Sequence, residues 1–178
     1  MKKKNSRFFR HFAILFAAAF AVHFFPGVSV PVKAADIEIS LPGVVGGTLT
    51  FDESTGTITG CSPAVTSAEI PPEINGVTVL EVGANAFASC RQLTKISFSE
   101  GLFIVPFGAF SGCSSLELVS FPASLEFLDQ WAFLNCSNLK TIEISPLNET
   151  YTVQDNILYT KDRKTLLFCP SGRDTPVR

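Results

Sequence analysis

One short phrase is written three times in this chain at a constant step, and few sequence features narrow the choice of fold as much. Val82-Gly-Ala-Asn-Ala-Phe87, Val105-Pro-Phe-Gly-Ala-Phe110 and Leu128-Asp-Gln-Trp-Ala-Phe133 place a phenylalanine every 23 residues. A cysteine and two aliphatic residues follow each phrase at the same step: Cys90, Leu93 and Ile96; Cys113, Leu116 and Val119; Cys136, Leu139 and Ile142. A fixed short period means that one supersecondary unit is stacked on itself, so each residue type returns to the same place in successive rungs. Ile96-x-Phe98, Val119-x-Phe121 and Ile142-x-Ile144 alternate with period two, as in a short strand with one buried face. The pattern predicts a β-rich solenoid of about three regular 23-residue rungs, with degenerate end rungs and hairpin caps. The Ala-Phe phrase fits a turn of helix or a tight loop, and the pattern does not choose between them.

A stacked array exposes apolar surface at its ends, so the flanking segments read as caps. Thr48-Leu-Thr-Phe51 and Thr57-Ile-Thr59 alternate polar and apolar residues around Asp52-Glu-Ser-Thr-Gly56, a hairpin signature that sets an N-terminal cap at 48–61. Residues 35–47 form a lead-in with extended character at Ile37-Glu-Ile39. The repeats occupy 69–147, and the first is irregular. Nine positions separate Ile70 from Val79, where four separate Phe98 from Leu102, so a turn at Ile74-Asn-Gly76 absorbs five extra residues. The period breaks at Asn156, where a fourth phenylalanine would fall. Ile157-Leu-Tyr-Thr160 and Thr165-Leu-Leu-Phe168 instead flank a charged turn, a C-terminal hairpin cap within 151–169. The whole repeat domain spans 48–170, and 171–178 is a polar tail.

Residues 1–34 are built like an export signal. Lys2, Lys3, Lys4, Arg7 and Arg10 precede an apolar run from Phe12 to Val22, too short for the about 20 residues that a spanning helix needs. Val32-Lys33-Ala34 supplies small residues for cleavage before Ala35; cleavage after Ala35 would put Lys33 in the wrong place. Removing residues 1–34 takes six of the 14 Lys and Arg and none of the 16 Asp and Glu, leaving eight against 16, a net charge of −8. That balance opposes nucleic acid and anionic membrane surfaces. Both histidines, His11 and His23, leave too. Their absence removes Ser-His-Asp and Cys-His nucleophile arrangements and histidine-containing zinc sites.

Five cysteines remain in an exported chain, where bridges are ordinarily expected. Three sit at the repeat period, and in-register side chains about 4.8 Å apart point the same way rather than at one another. A buried ladder of small apolar thiols is the preferred reading over a bridge. No CxxC pair supports a metal site.

These residues closely resemble the BspA-like, treponemal-type leucine-rich repeats, whose phrase runs Leu-x-x-Ile-Gly-x-x-Ala-Phe-x-x-Cys-x-x-Leu-x-x-Ile-x-Leu-Pro. The likeness covers 47–173 and rests on three in-register copies of Ala-Phe-x-x-Cys-x-x-Leu, the Glu69-Ile-Pro-Pro opening and the closing Cys169-Pro-Ser-Gly. It implies a leucine-rich repeat solenoid, a secreted or surface-displayed bacterial protein, and adhesion to host matrix proteins or other cells, with no catalytic residues and no cofactor. Family chains commonly continue after the Cys-Pro-Ser-Gly phrase, so this chain is either a minimal array or a truncated one. Neither a Leu-Pro-x-Thr-Gly sorting signal nor a lipid-acceptor cysteine follows, so a surface anchor is unsupported. Pro106 and Asp129 replace the family's Gly, kept at Gly83, so that turn need not adopt positive φ.

The candidate partner-binding face consists of residues flanking the buried strand pairs: Lys95, Ser97, Ser99, Leu118, Ser120, Pro122, Thr141, Glu143 and Ser145. It is either a docking strip or merely solvated sheet. Trp131 and Phe107 join it as large apolar residues where the first rung has Asn85 and Ala84; they are interface anchors or inter-rung packing, with packing preferred. Asn148-Glu-Thr150 and Asn135-Cys-Ser137 match the glycosylation pattern by accident in a bacterial setting. The expected function is non-enzymatic binding of a host or neighbouring-cell protein. The alternative is a structural or self-associating envelope spacer, and an enzyme using a carboxylate pair or an activated cysteine is a third, weaker reading.

Overall fold

In a computed structural model the described residues are 36–88 and 90–172, so the expected export signal and the end of the tail lie outside them. The strands in order are β1 (Ile37–Ile39), β2 (Val44–Val45), β3 (Leu49–Asp52), β4 (Thr57–Cys61), β5 (Ser67–Ile70), β6 (Glu73–Ile74), β7 (Val77–Thr78) and β8 (Glu81–Val82). They continue as β9 (Lys95–Phe98), β10 (Ile104–Val105), β11 (Leu118–Phe121), β12 (Phe127–Leu128), β13 (Thr141–Ile144), β14 (Tyr151–Gln154), β15 (Ile157–Thr160) and β16 (Leu166–Phe168).

The chain winds as a β-solenoid with two sheets and a third side made of turns. The longer rung strands pair in parallel as β5, β9, β11 and β13, with Ala68, Ile96, Val119 and Ile142 in one register row. The two-residue strands β8, β10 and β12 stack in parallel on the second sheet. Alternation then buries Ile96, Phe98, Val119, Phe121 and Ile142 inward while their neighbours face out. Phe87, Phe110 and Phe133 stack through the core at centroid separations of 5.2 and 5.4 Å. Phe98 and Phe121 form a second stack at 5.6 Å, touching the first edge-on through Phe98 and Phe110 at 6.3 Å. Such pairs contribute roughly 0.5–1.5 kcal/mol each beyond their buried area.

Among the described residues the Ala-Phe phrase forms turns and no helix. Local bonds such as Ala86 N–H to Gly83 O (3.1 Å) and Cys90 N–H to Phe87 O (3.1 Å) fold it tightly. Phe87 N–H then donates to Ala109 O, and Phe110 N–H to Ala132 O, both at 2.9 Å, so the backbone is already committed to the next rung. Left-handed backbone at Asn85 (φ 61°) and at the equivalent Gly108 (φ 69°) also ends any helical run. Gly83 is not among the positive-φ residues, so the turn's handedness is set two residues later than the family glycine.

The start of the array departs from a plain lead-in. β1 pairs antiparallel with β3, and β2 antiparallel with β5, so residues read as a leader are edge strands of both sheets. β3 and β4 form an antiparallel hairpin closed at Gly56 (φ 70°), and β4 runs parallel to β8. The irregular rung carries its extra residues as the β6–β7 hairpin, turned at Asn75 and Gly76.

At the other end β14, β15 and β16 form an antiparallel sheet, one strand more than the sequence suggested. Phe168 packs on Phe133 at 5.2 Å and so supplies the fourth ring that Asn156 does not. Asn148 is wholly buried, with Nδ2 donating to Leu125 O (2.8 Å) and Ala123 O (3.2 Å) and Oδ1 accepting from Tyr151 N (2.7 Å) and Thr150 N (2.9 Å). Burial excludes it as a glycan acceptor in the folded chain.

Candidate functional site

The sheet of longer strands displays the sequence-predicted strip as register rows. Ser67, Lys95, Leu118 and Thr141 form one row, and Glu69, Ser97, Ser120 and Glu143 the next. Lys95, Ser99 and Glu143 are exposed, while Ser97, Leu118, Ser120, Thr141 and Ser145 are partly covered by their neighbours. Pro122 corrects the outward reading: it is buried, and its carbonyl lies 3.4 Å from Asn148 Nδ2. The side chain that engages its carbonyl comes from 26 residues further on, a contact that alternation within one strand could not reveal. The strip carries a glutamate at each end of its serine row and few large apolar side chains.

Larger apolar side chains lie on the turn side. Trp131 is 52% exposed and Phe107 54%, and Leu134 and Leu166 are exposed too. Asp129 Oδ1 accepts from Trp131 N (2.8 Å), so a short side-chain turn presents the indole. Beside it lies a cleft of about 520 Å³ whose walls include Trp131, Leu134, Asn135, Leu166 and Phe168. Its floor comes from the ladder itself, since Phe133 and Cys136 line it as well. Leu134 and Leu166 escaped the sequence reading. Leu134 follows the repeated Phe133 within its rung, and Leu166 reaches the cleft only because β16 folds back on the turns.

The cysteines are free, with Cys90, Cys113 and Cys136 buried. Cys113 Sγ donates to Phe87 O (2.9 Å) and Cys136 Sγ to Phe110 O (3.1 Å), so each thiol satisfies a carbonyl of the preceding rung. Burial, reinforced by the neighbouring thiols, pushes the Cys113 thiol far up, and burial brings Cys136 to about 12. Neither has the character of a nucleophile or a metal ligand. Among the described residues no group of three or more His, Cys, Asp or Glu is placed to hold a metal ion, and no helix is long and apolar enough to cross a membrane.

A parallel β-solenoid with in-register Leu, Phe and Cys ladders defines a leucine-rich repeat protein. The BspA type leucine-rich repeat region matches residues 61–171 in six copies, and the chain belongs to that family. Among solved structures it is similar to the pneumococcal vaccine antigen PcpA, at 27% identity and a TM-score of 0.55, over 61% of this chain and 26% of that one. A leucine-rich repeat protein of T. pallidum is 26% identical, with a TM-score of 0.41, over 49% of this chain and 45% of that one. The chain thus spans about a quarter of the pneumococcal antigen it resembles. Comparison with the curated proteins gives no match.

Proposed function

We propose that this leucine-rich repeat chain is a non-enzymatic binding module that works outside the cell and contacts a host or neighbouring-cell protein. The observation that carries this reading is a group of large apolar side chains left exposed on the turn side of the stack, Phe107, Trp131, Leu134 and Leu166, three of them around or beside one cleft. Trp is a favoured interface anchor, and a cleft at its side offers a place for a partner side chain. The export-like residues 1–34 and the similarity to a pneumococcal antigen support an extracellular setting. The absence of histidine from 35–178 supports a non-catalytic role.

The test is affinity capture from a host extracellular extract with the chain lacking residues 1–34, run beside Trp131→Ala and beside a double variant with bulky charged residues at Ser97 and Ser120. Loss of a captured protein with Trp131→Ala alone supports the turn-side surface. Loss with the serine double variant alone moves the contact to the sheet strip, and capture of nothing by the parent chain rejects the reading.

Self-association is the second reading. Among the described residues β12 and β13 end their sheets, and while Tyr151 Oη takes the Leu128 amide at the β12 edge, β13 has a strand partner on one side only. Unpaired edges are templates for another chain. Concentration-dependent oligomers without a heterologous partner would favour this reading.

A further inference from the structure

The cysteine ladder follows a rule that its first member breaks. Cys113 and Cys136 each donate to the carbonyl of the phenylalanine 26 residues earlier. The same offset from Cys90 falls on Ala64, in the loop after β4, where the chain has no such phenylalanine. Cys90 Sγ instead lies 3.7 Å from Cys61 O and 4.0 Å from Ser62 O. Cys61 Sγ is 3.3 Å from that same Ser62 oxygen, so the two sulfurs converge on one carbonyl. They are within hydrogen-bonding reach of each other.

We propose that Cys61 and Cys90 are a disulfide-forming pair that clamps the N-terminal hairpin to the first regular rung. The two residues differ in a way that suits stepwise oxidation. Cys61 ends β4 and is half-buried, so a reagent in solution reaches it, whereas Cys90 is buried behind it. The hydrogen bond between them, together with burial, holds the Cys61 thiol high, and the same hydrogen bond holds Cys90 low. Negative charge on the deprotonated pair therefore resides on Cys90, the attacking position of the second step.

The oxidant is a low-molecular-weight or protein disulfide. Cys61 passes its proton across the contact to the Cys90 thiolate and, as the thiolate, attacks one of the oxidant's sulfurs. A mixed disulfide forms, and the first thiol leaves carrying the proton taken back from Cys90. The Cys90 thiolate then attacks Cys61 Sγ, forming the Sγ–Sγ bond and releasing the second. Two electrons and two protons leave the pair, and the oxidant's disulfide becomes two thiols. The bond closes a loop that holds β5, the β6–β7 hairpin and β8, restricting the unfolded chain. Cys113, Cys136 and Cys169 stay reduced, which accounts for an odd number of cysteines without a bridge between chains.

The chain is equilibrated with an oxidising mixture of oxidised and reduced glutathione, then unfolded without reductant, and its thiols are counted. This chemistry does not require the binding role, so failure to capture a partner leaves it standing. Three free thiols are expected. Cleavage after glutamate, at Glu69, Glu73 and Glu81, should leave the Cys61 and Cys90 peptides joined until reduction. Reduction should lower the melting temperature of the parent chain by about 5–10 °C. Cys61→Ser should show four free thiols and no response to reductant; because Cys61 is half-buried, this variant keeps the test open if Cys90→Ser does not fold. Five free thiols in the parent chain, or a bridge joining any other pair, would overturn the proposal.

Discussion

Tyr151 stands one period beyond Leu128, and its phenol oxygen accepts the Leu128 main-chain N–H at 2.8 Å. The same hydroxyl donates to Glu126 O at 3.1 Å. β12 ends its sheet, and a further rung would have offered these groups a strand. A side chain takes the place of a backbone there. Burial raises the phenol above its ordinary value, though the Leu128 amide opposes that shift. Tyr151→Phe keeps the packing and removes both bonds, so it should cost roughly 1–3 kcal/mol in chemical denaturation. Amide exchange at Leu128 should quicken in step; an unchanged midpoint would mean that water replaces the phenol.

Asn148 tests the other half of this closure. Its amide hydrogens face only carbonyl oxygens, so Asn148→Asp would set a carboxylate against Leu125 O and Ala123 O. Asn148→Ala should lose about 2–4 kcal/mol by leaving buried groups unpaired. The Asp variant should lose more at pH 7 and recover towards the Ala variant as acid neutralises it. Equal stability of the two variants at pH 7 would show that the site is open to water.

Glu81, the first residue of β8, gives the parent chain a pH dependence of its own. Burial raises its carboxyl above the usual range, so the folded chain holds that proton more tightly than the unfolded chain does. The associated stability is fully present below the ordinary glutamate value and declines as pH rises through the folded one. Glu81→Gln should therefore melt higher than the parent at pH 7, with the gap closing by about pH 4. A gap that widened on acidification would contradict the assignment.

Trp131 is the chain's single tryptophan, so its fluorescence reports on the turn-side surface without ambiguity. With 52% of the residue exposed, iodide should quench the native protein substantially, and binding of a partner at the cleft should protect it. A native emission insensitive to iodide would remove Trp131 from the proposed surface.

Much of this architecture was legible because each rung buries the same residues for the same reason. Phe87, Phe110 and Phe133 must meet one another, and so must Leu93, Leu116 and Leu139, so the period is written into the sequence. The helix-or-loop ambiguity was not soluble locally: the decisive bonds of Phe87 and Phe110 go to neighbouring rungs. Phe168 was hidden because it reaches Phe133 by way of a hairpin rather than by the period. β1 and β2 were hidden because two or three residues carry too little alternation to declare a partner. On the candidate surface, the sheet strip followed from alternation, while the cleft beside Trp131 depends on where β16 folds back.

The β6–β7 hairpin shows what holds the pitch of the stack. β5 and β9 lie 28 residues apart in sequence yet pair in register, as strands 23 apart do elsewhere, with the surplus looped out at Asn75 and Gly76. Nothing is within 4 Å of a side-chain carbon built at Gly76, so this corner opens to solvent. Spacing between coils is thus decoupled from contour length at that corner. A foreign peptide spliced between Asn75 and Gly76 would travel as cargo, displayed outward while the coils on either side keep their alignment.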